Sequence, residues 1–150
     1  MSRPGEAPFV YRRRPRWQEV DAARIVYTMR LPDYGMEAIE AWLEDRTGKN
    51  WYTLNLDWNL GTPFVHVSAD LLAPATPRDE LLIGVWPRRL GRSSLTFEVA
   101  GERTGDGRPV FRGRYVCVCV VSDTMEPVPV DPRIAEPFRR DMARTGTADG

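Results

Sequence analysis

Apolar and polar residues alternate along this chain with two different periods, and the switches between them mark its elements. From Phe9 to Trp17 the period is two. Phe9, Tyr11 and Arg13 fall on one side, Val10, Arg12 and Arg14 on the other, and Pro15 marks the frayed end of this first strand. The period then lengthens. Gly35, Ala38, Ile39, Trp42 and Leu43 recur at i, i+3, i+4, i+7 and i+8, one apolar stripe on a helix over about Pro32 to Arg46. Proline suits its first turn, where the missing N–H has no helical partner, and Thr47-Gly48 supplies the stop. Glu37, Glu40 and Glu44 lie off the stripe.

From Thr62 the period returns to two. Val65, Val67, Ala69 and Leu71 alternate with Phe64, His66, Ser68 and Asp70. Leu81, Ile83 and Val85 follow the turn at Pro77-Arg78-Asp79, and Leu95, Phe97 and Val99 alternate with Ser94, Thr96 and Glu98. Gly105-Asp106-Gly107 signals a hairpin. The last strand, Val110 to Val121, is apolar on both faces from Tyr115 onward, which predicts a central strand or one whose outer face meets another subunit. Asp131-Pro132 caps a final helix carrying Ile134, Phe138 and Met142. Residues 49–61 fit neither period, yet Trp51, Tyr52, Leu54, Leu56, Trp58 and Leu60 are too apolar for a free loop. The segment is expected to cover something, such as the mouth of a pocket. Residues 1–8 and 145–150 read as flexible ends.

The order is therefore strand, long helix, four strands, short helix. One apolar-striped helix cannot bury itself, and an antiparallel sheet wrapped around it gives both a core. This predicts an α+β fold in a single domain over residues 1–150, a length that suits one core.

Composition narrows the function. The formal net charge is zero, so nothing points to nucleic acid. No segment approaches a membrane span and the N-terminus has no apolar signal region. Cys117 and Cys119 lie too near in sequence for an easy disulfide, which points to a reduced, cytoplasmic setting. With His66 the only histidine, no metal site and no cofactor are expected.

The chemistry-bearing stretch is Asp21-Ala22-Ala23-Arg24-Ile25-Val26-Tyr27-Thr28. An acid stands there a few residues before backbone N–H groups that a helix start leaves free. Such an arrangement can hold an electrophilic carbonyl between a carboxylate and hydrogen-bond donors. It can equally be a turn-capping aspartate.

This segment, the helix Asp33-Tyr34-Gly35-Met36-Glu37-Ala38, the strand Pro63-Phe64-Val65-His66-Val67, the phrase Leu72-Ala73-Pro74 and Leu90-Gly91-Arg92-Ser93-Ser94 together resemble the 4-hydroxybenzoyl-CoA thioesterase family. The likeness runs from about Phe9 to Asp131. It implies a hotdog fold and hydrolysis of an acyl-CoA or aryl-CoA thioester. It makes Asp21 the nucleophile or general base and the Thr28 amide the group that polarises the carbonyl. Glu37, on the central helix, is the rival acid, and His66 is a candidate for orienting water or the acyl group. Arg88, Arg89, Arg92 and Ser93 become candidates for the CoA phosphates, and Trp51, Tyr52 and Trp58 shape an acyl pocket or belong to the core. The family pattern implies a homodimer or homotetramer, with sites between protomers. Two departures stand out: Arg24 replaces the usual glycine and Ala22 a frequent proline. Alternatives left open are a non-catalytic acyl-CoA-binding module and a 3-hydroxyacyl thioester dehydratase.

Overall fold

The computed structural model describes residues 3–144. In chain order its elements are β1 (Phe9–Arg13), α1 (Arg30–Thr47), α2 (Trp51–Trp58), β2 (Leu60–Gly61), β3 (Phe64–Leu71), β4 (Leu81–Leu90), β5 (Ser94–Arg103), β6 (Pro109–Val118), β7 (Val120–Val121) and α3 (Pro132–Arg144). Five strands form one antiparallel sheet in the order β1-β4-β5-β6-β3, while β2 and β7 pair separately. Helix α1 lies against β1, β4, β5 and β6, as the α+β expectation of a sheet around a central helix requires.

The stripe read from the sequence is the buried face of α1: Gly35, Ala38, Ile39, Trp42 and Leu43 are all buried. They meet the inward residues of the sheet, Ile83, Val85, Phe97, Val99, Phe111 and Tyr115. Trp42 packs edge-on against Phe97 and Phe138 with ring centroids 5.3 and 5.9 Å apart, which seats α3 on the same core. Asp131 caps α3 by accepting the Arg133 N–H at 2.9 Å. Gly107, at φ +68, closes the predicted turn between β5 and β6.

Five expectations change. Strand β1 stops at Arg13, before Pro15, and Trp17–Glu19 is a 3-10 turn. Residues 49–61, which fit neither period, contain a helix, and Trp51 on it packs against Phe64. Asn50 caps it by accepting the Thr53 N–H at 2.9 Å, and Leu54 is buried in the core. Residues 4–8 of the expected loose arm are folded back: Pro4–Glu6 form a 3-10 turn with Pro4 buried against Gly84. The other expected flexible end, residues 145–150, lies outside the described residues.

The fourth concerns β3. A bulge between Phe64 and His66 turns Phe64 from the polar face to the core, where it packs on Trp51 and Tyr115. The apolar face of β3 is open in the single chain. Val67 and Leu71 stand opposite the inward Tyr115 and Phe111, yet both are exposed, as is Val65. A fifth concerns the last strand: β6 lies between β5 and β3 and so is internal to the sheet, but it ends at Val118, and Val120–Val121 pair with β2 instead.

Candidate active site

Asp21 opens a tight hairpin between β1 and α1. Val20 and Val26 form its base as an isolated antiparallel bridge. The Asp21 N–H donates to the Ile25 carbonyl at 3.0 Å, and the Arg24 N–H donates back to the Asp21 carbonyl at 3.0 Å. The hairpin is tied at both ends. Val26 N–H donates to Ala75 at 2.8 Å, beyond the end of β3, and Tyr27 N–H donates to the Glu19 carbonyl at 2.9 Å. At the tip, Asp21 Oδ1 accepts the Ala23 N–H at 2.8 Å. The second carboxylate oxygen has no hydrogen-bond partner among the described residues, and Asp21 is exposed in the single chain.

The chain then enters α1. Arg30 N–H donates to Tyr27 and Leu31 N–H to Thr28, at 2.8 and 3.2 Å. The amides of Thr28 and Met29 precede these bonds and find no acceptor among the described residues. A carboxylate oxygen and two uncommitted amides thus stand within one short connection. The amides lie where the helix dipole favours negative charge.

Beneath the hairpin is an ion-pair platform that sequence reasoning missed. Arg13 donates to Glu19 through Nη1 and Nη2 at 3.0 and 2.7 Å, and to Glu37 through Nε and Nη2 at 2.9 and 3.2 Å. Its guanidinium also covers the Tyr34 ring, 4.5 Å from the centroid. Glu19 accepts the Arg16 amide at 2.9 Å and the Tyr34 hydroxyl at 2.7 Å. Burial pushes the Glu19 carboxyl up, but these donors outweigh it and hold the group below the usual glutamate range. Burial and the facing Glu19 carboxylate push the Tyr34 hydroxyl well up. The available signal was Arg13 itself, a cation in the inward register of a strand with Phe9 and Tyr11.

The remaining sequence candidates disperse. Glu37 is committed to Arg13 and to the Tyr11 hydroxyl, which donates at 3.0 Å. His66 pairs in register with Val116, between the inward Tyr115 and Cys117, so it faces away from α1; its Nε2 lies 3.2 Å from Ser68 Oγ. Arg88 is bound to Glu98 at 3.0 Å, whereas Arg89 and Arg92 are exposed around the Gly91–Ser94 turn that includes Ser93. Trp51 is part of the packing around the core, Tyr52 is exposed, and Trp58 lies under Arg133 with the cation 3.7 Å from its ring centroid. The single chain has a groove of about 320 Å³ beside Arg3, Glu102 and Phe111, and an open one of about 590 Å³ beside Arg12, Arg14 and Arg16. Asp21 lines neither.

The model of the thioesterase-like superfamily matches residues 15–138. A 1,4-dihydroxy-2-naphthoyl-CoA hydrolase from Synechococcus sp. (strain RCC307) is 37% identical over 120 residues, 76% of this chain and 89% of that protein. The crystal structure of a thioesterase superfamily protein from Jannaschia sp. CCS1 superposes with a TM-score of 0.84 at 38% identity, covering 93% of this chain and 96% of that one. A 1,4-dihydroxy-2-naphthoyl-CoA thioesterase from Synechocystis shares the fold, with a TM-score of 0.78 at 21% identity over 90% and 95% of the two chains.

Proposed function

The chain belongs to the thioesterase-like superfamily, and from that premise we propose that it hydrolyses an aryl-CoA thioester to free acid and CoA at Asp21. The observation that carries this is the pairing of a free Asp21 oxygen with the uncommitted amides of Thr28 and Met29. The amides accept the negative charge that develops on the thioester oxygen; groups of this kind supply about 3 kcal/mol in such reactions. Asp21 either attacks the carbonyl carbon, expelling CoA thiolate and leaving an anhydride that water cleaves, or takes a proton from the attacking water. Thiolate leaves readily, so no strong general acid is needed. Arg89, Arg92 and Ser93 are the candidates for the CoA phosphates, supported by the exposure of both arginines at their turn, and Glu37 serves the platform under the hairpin. The aryl class follows the naphthoyl-CoA substrate named for the Synechococcus relative.

A second copy of the chain completes this site. Asp21 is exposed, and Val65, Val67, Leu71, Leu72, Tyr27 and Met29 leave apolar surface open beside the edge strand β3. Light scattering is expected to give a dimer or tetramer, and a monomer at micromolar concentration refutes it. The cytoplasm is the fitting compartment, because both cysteines remain thiols and CoA esters are its metabolites. The central test is CoA release from aryl-, short- and long-chain acyl-CoAs by wild type and Asp21→Asn. Turnover by the variant should fall at least ~100-fold with its fold intact. Binding without thiol release, or an Asp21→Asn variant as active as wild type, overturns the assignment.

A further inference from the structure

We infer that Arg24 selects substrates whose acyl group carries an anionic or acidic oxygen near the thioester, such as a carboxylate or an acidic phenol. This rests on the assignment of thioester hydrolysis to Asp21. Arg24 has φ +68, the left-handed region where a side chain crowds its own backbone and glycine is at ease. Of the other non-glycine residues at positive φ, Asn59 suits the conformation and receives a bond from the Asp123 amide at its side chain, and Met125 lies in the turn after β7. Arg24 is the one at the hairpin that carries the acid. A long cationic side chain held in a conformation that opposes it is a reason to look for what it does.

Nothing among the described residues uses this cation. Arg24 is exposed, and its guanidinium has no hydrogen-bond or ion-pair partner among the described residues. It is not the counter-ion of Asp21, whose bound oxygen is held by the Ala23 amide. Yet it is close to that acid. The bond from Arg24 N–H to the Asp21 carbonyl closes a turn, which brings the two Cα atoms within roughly 7 Å. A thioester in reach of Asp21 is therefore one turn away from Arg24, whose long side chain can extend to it.

Geometry then decides which part of the substrate Arg24 meets. The phosphates of CoA are separated from the sulfur by the whole pantetheine arm, so a cation one turn from Asp21 is not where they would fall. The groups next to the reacting carbon belong to the acyl moiety. A planar fork with several donors matches a carboxylate or phenolate oxygen, and an uncharged substituent gives it nothing to bind.

The test compares kcat/KM for two matched pairs, 3-carboxybenzoyl-CoA against 3-methylbenzoyl-CoA and 2-hydroxybenzoyl-CoA against benzoyl-CoA, in wild type, Arg24→Gly and Arg24→Lys. Wild type should favour the acidic member of at least one pair by about tenfold or more, and the pair that shows it names the group. Arg24→Gly should erase that preference, with most of the loss on the acidic substrate, and Arg24→Lys should keep part of it. Because glycine relieves the backbone, the variant should melt no lower than wild type, which separates recognition from misfolding. Equal losses on both members of each pair, or no change on either, overturn the inference while leaving hydrolysis at Asp21 standing. Failure of wild type to release thiol from any ester, benzoyl-CoA included, overturns both.

Discussion

Replacing Glu19 with alanine should remove the support of the Asp21 hairpin at a cost large enough to measure by denaturation. Glu19 and Arg13 side chains are 8% and 13% exposed, so their pairing is shielded from water and salt. The variant loses the two-pronged bond to Arg13, leaves the buried Tyr34 hydroxyl without its acceptor and uncaps the Arg16 amide. Charge-assisted bonds count for about 1.5–3 kcal/mol each, but they do not add, and Arg13 keeps Glu37. Breaking one partner of a buried pair costs about 3–5 kcal/mol, and that is the expected loss here. For a chain of this length it lowers Tm by roughly 10 °C. Glu19→Gln keeps an acceptor oxygen for Tyr34 and Arg16 and should lose about half as much. The assay is urea unfolding at fixed protomer concentration, since association shifts apparent stability. The pH dependence has a definite sign. The folded carboxyl lies below its usual range, so its contribution is complete above the unfolded value of roughly 4.3 and disappears as pH falls through the folded one. The gap between wild type and Glu19→Ala must therefore narrow on acidification. A gap under ~1 kcal/mol at neutral pH, or one that widens in acid, refutes the account of the platform.

Gly35→Ala should destabilise by about 1–3 kcal/mol, because a Cβ there would fall on the Tyr115 hydroxyl, which donates to the Pro32 carbonyl at 2.7 Å. Tyr115→Phe in the same chain should recover only part of that loss, because the ring carbon Cζ would still lie 2.7 Å from the new Cβ, and additive effects in the double-mutant cycle would contradict this packing. Cys117 and Cys119 should stay silent to a thiol reagent in the folded protein and react on unfolding, since burial pushes both thiols up, Cys119 to about 11. Fast labelling of the native chain would disprove it, and would also complicate any thiol-release assay.

What the sequence made legible was what local period decides. The stripe on α1 and the alternation in β4 and β5 each bury a repeating set, so the pattern and the structure agree. Helix α2 escaped because its apolar residues fit neither period, only Leu54 among them being deeply buried; its signal was the capping Asn50. Phe64 escaped because a bulge shifts register without leaving a mark in composition. Asp21 became a candidate through likeness to a family, since no period singles it out. The Arg13 platform left only the hint of a cation in the inward register of β1, because Glu37 and Tyr34, which complete it, come from α1.

That division explains how the hairpin tolerates unusual residues. The position of Asp21 is set from below and behind: by the Val20–Val26 bridge, by the Glu19 carbonyl under Tyr27 and by Ala75 under Val26. None of these contacts uses the side chain of residue 22 or 24. Ala22 and Arg24 sit at the exposed tip, so changes there alter what a substrate meets and leave the place of the carboxylate unchanged. Substitution at Glu19 should do the reverse. It should loosen the acid for every substrate alike, reducing turnover of charged and uncharged esters by the same factor, whereas Arg24→Gly should separate them. If both variants changed the substrates in parallel, the tip and the platform would not be independent, and the division of labour drawn from these contacts would be wrong.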